Sequence, residues 1–144
     1  MRLIIDGDAF PNLLKPIIIK AINKKMVKTI VVSNKKINLG DSVFIEYVLV
    51  SLGMDKADTH IVELLEDGDL IITADIPLAD KVISKNGKAL GHRGECYSKD
   101  NIKQYLTMRN LMEQIRDSGE KTKGPTPFTK KDCEVFANGL YSLL

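Results

Sequence analysis

The chain has only two cysteines, Cys96 and Cys133, which form no CxxC pair and are too few to supply a disulfide framework. A catalytic or metal-binding thiol is not expected, and such sparse cysteine use fits a reducing cytoplasm. Long apolar runs are missing as well. Even the stretch from Asn12 to Ile22 is broken by Lys15 and Lys20, short of the roughly 18 to 20 uncharged residues that cross a bilayer. The opening Met-Arg-Leu-Ile-Ile-Asp lacks the basic, apolar and small-residue succession of a secretory leader. A soluble, cytoplasmic protein with no membrane partner is therefore expected. Charge of one sign is absent too: 21 Lys and Arg stand against 19 Asp and Glu, a net +2. Any nucleic-acid binding must then come from local clustering. No Ser-His-Asp arrangement and no glycine-rich phosphate loop occurs.

What the chain does have is 144 residues with 44% hydrophobic side chains, enough for one domain over 1–144 with its own core. Only Asp117 to Thr126 reads as loosely structured. Leu3-Ile4-Ile5 is a short apolar run closed by Asp6, the pattern of a strand buried on both faces. Pro11 suits a helix start, with Leu13, Leu14, Ile17, Ile18 and Ala21 at helical spacing and Pro16 kinking or delaying the helix. Thr29 to Ser33 and Phe44 to Val50 read as β-branched strands, and Ala57 to Glu66 as a helix stopped by Gly68. Leu70 to Ala74 reads as a strand, Pro77 to Lys85 as a helix, and a short strand follows near Ala89. Asn101 to Arg116 and Thr129 to Leu143 are expected as two C-terminal helices. The alternation predicts an α/β fold with a central, mainly parallel sheet of about five strands flanked by helices.

Two of these strands stop at carboxylates. The first ends at Asp6, with Asp8 two residues on, and the fourth at Asp75, with Asp80 five residues on. In an open α/β sheet the working edge is the carboxyl end of the strands, where strand order reverses. If the first and fourth strands are neighbours there, Asp6 and Asp75 face one crevice, within reach of Asp58 at the start of the middle helix. Converging carboxylates repel and raise one another's pKa unless a cation sits among them, and Mg²⁺ or Mn²⁺ is the economical occupant. Such a site activates water for attack on phosphate esters. The competing reading is that Asp8, Asp58 and Asp75 are helix caps or turn residues that satisfy loose backbone amides.

Several stretches carry a family resemblance. They are Asp6-Gly7-Asp8-Ala9-Phe10-Pro11-Asn12, Ala57-Asp58-Thr59-His60-Ile61-Val62, Gly68 to Ala79 around Thr73-Ala74-Asp75-Ile76-Pro77-Leu78-Ala79, Arg93-Gly94-Glu95, Thr107-Met108-Arg109 and Gly124-Pro125. On these the chain resembles the YaiI/YqxD family of uncharacterised bacterial proteins. The resemblance implies a PIN-like, nuclease-type three-layer fold with acidic residues at the positions of Asp6, Asp58 and Asp75, and Asp8 and Asp80 as supplements. It also shows departures. The family usually has Ala and Cys where this chain has Gly7 and Phe10, Asn-Pro where it has Gly91-His92, and Gly where it has Lys123; Pro16 is unusual.

Arg93 and Arg109 fall within the matching segments, and Lys121, Lys123, Lys130 and Lys131 crowd the C-terminal third. A near-neutral chain binds a phosphate backbone if acids gather at a metal and bases line the rim, so Arg93, Arg109 and Lys123 are candidate substrate contacts. The bland readings are a structural ion pair for Arg109 and solvated surface for the lysines. Asn34 ends a strand at the same edge and is a candidate to orient substrate or water, and Thr73 brings a hydroxyl close to Asp75. The leading expectation is a metal-dependent nuclease or other phosphodiesterase, RNA favoured, with Asp6, Asp58 and Asp75 catalytic. The alternatives are a non-catalytic RNA- or protein-binding module and a haloacid-dehalogenase-type phosphatase using Asp6 and Asp8. Self-association into a homo-oligomer stays open.

Overall fold

The computed structural model of the chain describes residues 1–51, 56–119 and 127–144. Its strands are β1 (Leu3–Asp6), β2 (Thr29–Ser33), β3 (Ile45–Leu49), β4 (Leu70–Ile72), β5 (Lys88–Leu90) and β6 (Cys96–Tyr97). Its helices are α1 (Lys15–Lys25), α2 (Lys56–Leu64), α3 (Ile76–Ser84), α4 (Ile102–Asp117) and α5 (Lys130–Leu143). The strands form one sheet in the order β3-β2-β1-β4-β5-β6. The first five are parallel and β6 runs antiparallel to β5. The sheet thus has six strands among the described residues, against the expected five or so. The sixth pairs only Leu90 with Cys96 and Ala89 with Tyr97, too short for any period-two pattern to announce it.

The alternation of side chains along each strand divides the core into two layers. Leu3, Ile5, Val31, Leu70, Ile72 and Leu90 face α1 and α5, meeting Leu14, Ile18, Ala21, Ile22, Phe136 and Leu140. Ile4, Ile30, Val32, Ile71 and Ala89 face the other way, onto Ala57 and Ile61 of α2, Leu78, Ala79, Val82 and Ile83 of α3, and Ile102 at the start of α4. β1, β2 and β4 are buried along their whole length, which is why they read as continuous apolar runs. Pro16 delays α1 rather than kinking it. A 3₁₀ turn at Asn12–Leu14 takes up the chain after Pro11, and α1 begins at Lys15 with Pro16 in its first turn, where a missing N–H goes unnoticed. The two C-terminal helices form as expected, but α4 buries only Ile102.

The topology fixes where a site falls. From β1 the chain moves outward to β2 and β3, then crosses back to place β4 on the opposite side of β1. Strand order therefore reverses between β1 and β4, with Ile5 in register with Ile72. At the other end of this strand pair the register is held by Asp69, which is 2% exposed. Its Oδ1 accepts the Arg2 backbone N–H at 3.0 Å, and its Oδ2 accepts Arg2 Nη2 at 2.8 Å and the Glu66 N–H at 2.9 Å. Burial pushes the Asp69 carboxyl up, but the Arg2 guanidinium and these amides outweigh it and hold the group below its ordinary range. Asp69→Ala leaves the half-buried Arg2 with only the exposed Glu66, 3.7 Å away, as counter-charge and strands two amides. It is expected to destabilise the protein by about 3 kcal/mol, measurable as a lower midpoint at unchanged slope in urea denaturation.

Candidate functional site

Asp6 is the last residue of β1 and is 8% exposed. Its Oδ2 accepts the Thr73 hydroxyl at 2.8 Å and its Oδ1 accepts the Asp8 backbone N–H at 3.3 Å. Thr73 directly follows β4, and its own N–H bonds Leu90 O at 3.1 Å, so three strands hold it in place. Its oxygen also accepts the Asp75 N–H at 3.0 Å. One hydroxyl thus joins the two strand ends on which the acidic residues stand. Asp75 caps α3, with Oδ1 accepting the Leu78 N–H at 3.1 Å, and Asp8 Oδ1 accepts the Asn34 N–H at 2.9 Å. Asp75 thus fills the capping role of its competing reading. Gly7 permits the close approach of this loop to β2, since a Cβ there would lie 3.0 Å from Ser33 Cβ.

Burial pushes the Asp6 carboxyl up to about 6, with the charges of Asp8 and Asp75 adding to it and the Thr73 hydroxyl and Asp8 amide opposing. Asp6 therefore feels the charges of Asp8 and Asp75 at the carboxyl ends of β1 and β4. Among the described residues, however, no three His, Cys, Asp or Glu side chains come close enough to enclose one metal ion. Asp58 lies in the first turn of α2. Asp80 on α3 is paired at 3.3 Å with Lys103 of α4.

The expected basic rim is placed differently. Arg93 Nη1 donates to Asp132 Oδ2 at 2.9 Å, and its guanidinium lies 5.5 Å from the Phe128 ring centroid, so it fastens the loop after β5 to the start of α5. Arg109 is exposed on α4 and pairs with Glu113 one turn on at 3.1 Å. Lys121 and Lys123 lie outside the described residues. Lys130 and Lys131 are exposed at the start of α5. Two further bases, which the sequence reading passed over, follow Asn34 directly. Lys35 and Lys36 are exposed on the loop leaving β2, directly after the Asn34 whose amide holds Asp8. Their adjacency to a strand-ending Asn was the available signal.

His92, on the loop after β5, is 8% exposed, meets Phe10 edge to face at 5.5 Å, and has no partner for Nε2 among the described residues. Burial pushes it down to about 4. It ties the loop after β5 to the loop after β1 as a neutral ring.

Two opposite pH dependences follow. The folded Asp6 carboxyl loses its proton near 6 and the unfolded one near 3.8, so its contribution to stability is present at acid pH and lost as pH rises through that window. Relative to wild type, Asp6→Asn should gain on the order of 2 kcal/mol between pH 4 and pH 7 without divalent metal. His92 has the reverse sign. The unfolded ring takes its proton near 6.5 and the folded one near 4, so stability is lost as pH falls between them. His92→Leu should therefore gain on wild type over pH 6.5 to 4.5. Thermal unfolding of both variants across this range checks each sign.

The fold and site define an α/β protein with a buried carboxylate, braced by a threonine hydroxyl, at the switch point of a mainly parallel sheet. Residues 4–144 match the family model described as the uncharacterised YaiI/YqxD family, and the chain belongs to that family. It is similar over its full 144 residues to UPF0178 proteins of Sulfurimonas denitrificans, at 62% identity and 95% of that protein, and Sulfurovum sp., at 59% and 97%. The UPF0178 protein of Nitratiruptor sp. is 58% identical, again over the whole chain and 95% of its own length. No solved structure matches.

Proposed function

We propose that this chain is a Mg²⁺- or Mn²⁺-dependent phosphodiesterase that cleaves RNA at the crevice between β1 and β4. The observation that supports this most is Asp6: a carboxylate buried at the switch point, braced by Thr73 and facing the like charges of Asp8 and Asp75. Each of these carboxylates also satisfies a neighbouring amide or hydroxyl, but those bonds leave the like charges facing one another, and a divalent cation would relieve that repulsion. Asp6, with Asp8 or Asp75, would hold the ion through oxygen and water ligands. The bound ion would supply a water of lowered pKa and offset charge on the leaving oxygen. Thr73 acts as a positioning residue, fixing the Asp6 rotamer through its hydroxyl. Lys35 and Lys36 would hold the phosphate backbone on the β2 side. Asp58 and Asp80 are outer members of this reading, contributing through waters or the local field, and Asn34 contributes through its amide on Asp8. Arg93 and Arg109 would reach substrate only by leaving their present carboxylate partners.

The test is cleavage of mixed single-stranded RNA and DNA with Mn²⁺ present. Asp6→Asn and Asp75→Asn should abolish cleavage. Thr73→Val should lower it about 10- to 100-fold, the usual effect of removing a group that orients a metal ligand. In parallel, Mn²⁺ should raise the thermal midpoint of wild type and not that of Asp6→Asn. Equal residual cleavage in all variants would identify a contaminant and sink the reading. Metal-independent binding without cleavage would replace it with a binding module.

A further inference from the structure

β3 is the outer strand of the sheet, and among the described residues no strand pairs with its free edge. The bonds of Phe44 O to Thr29 N–H and of Val50 N–H to Ser33 O show that even-numbered residues point their backbone groups at β2. The amides and carbonyls of Ile45, Tyr47 and Leu49 therefore point outward. Ile45 packs with the core layer under α1, while Val48 and Val50 pack on the opposite layer, so Tyr47 and Leu49 stand on the α1 side of the sheet. There they border an open groove of about 1090 Å³, with Val43, Phe44 and Asn38 among its other walls. Val43 is 93% exposed, Leu49 65% and Tyr47 43%. Natural sheets guard such edges with lysine, proline or a bulge. Residues 43 to 50 carry no lysine and no proline, and their single charge is Glu46.

We propose that the free edge of β3 is a self-association surface, pairing antiparallel with β3 of a second copy about a two-fold axis beside Tyr47. A second copy fits because the strand is complementary to itself in that register. Tyr47 faces Tyr47 and Ile45 faces Leu49, and each pair joins outward-pointing residues that exchange both hydrogen bonds. Glu46 falls opposite Val48, so no like charges meet directly. Exposed Val43 and Leu49 then lie against apolar groove walls rather than water. The groove's charged lining is one lysine and one aspartate, Lys36 and Asp41, which does not select a polyanion. The pairing gives a twelve-strand sheet of about twice six strands, and leaves both β1–β4 crevices open. It does not depend on the chemistry proposed for them.

Sedimentation equilibrium of the full chain should give twice the monomer mass at about 100 μM and dissociate on dilution, as a small interface does. Leu49→Lys and Val43→Lys should each leave a monomer with unchanged circular dichroism. The second is the safer variant, because Val43 has almost nothing to lose in the fold. Tyr47→Cys, made with Cys96→Ser and Cys133→Ser, places the two thiols on strands whose Cα atoms are about 5.5 Å apart, and mild oxidation should give a covalent dimer. A chain that stays monomeric at this concentration overturns the proposal. So does a dimer that survives both lysine variants, or one that Tyr47→Cys fails to cross-link. A monomer that instead takes up an extended peptide along β3 also overturns it.

Discussion

The hydrogen bond from the Thr73 hydroxyl to Asp6, 2.8 Å long, depends on β1 and β4 lying side by side, and the candidate site depends on that bond. A carboxylate at the end of an edge strand would meet water and titrate normally. Here β1 has a strand on each side and helices above and below, so Asp6 ends in a place where charge is disfavoured. Thr73 and the Asp8 amide offset part of that penalty, and Thr73 in turn anchors the amide of Asp75. The same pairing is tied at its opposite end by Arg2 and Asp69. Both ends of one strand pair are thus held by carboxylates, but among the described residues only Asp69 has a cation of the protein's own paired with it.

The near-neutral total charge takes on a different meaning in three dimensions. Four bases among the described residues are occupied by acids: Arg2 by Asp69, Arg93 by Asp132, Lys103 by Asp80 and Arg109 by Glu113. These pairs hold elements together, and their partners include residues that a linear reading assigns to a metal or a phosphate. Lys35 and Lys36, like Lys130 and Lys131, take part in no such ion pair among the described residues, and they directly follow the Asn34 whose amide bonds Asp8.

Much of the architecture was legible because buried parallel strands and amphipathic helices leave strong periodic signals. β1, β2 and β4 read directly as apolar runs, α3, α4 and α5 as helical segments, and Asp75 as a candidate cap. β6 was not legible, since two residues carry no period. Nor was the role of Asp69, which looks like any loop aspartate until Arg2 is brought to it across 67 positions of chain.

By itself the sequence determined the order of strands and helices, the parallel character of the sheet and the placement of acids at two strand ends, because these follow from local periodicity and from where apolar runs stop. Tertiary structure alone decided which strand ends meet, which carboxylate is buried and which bases are already taken. Those outcomes rest on strand order and on contacts between residues tens of positions apart, and no local pattern encodes either. The two cysteines illustrate the division. Their number and spacing excluded a disulfide framework, but only the fold shows Cys96 exposed on β6 and Cys133 partly covered on α5.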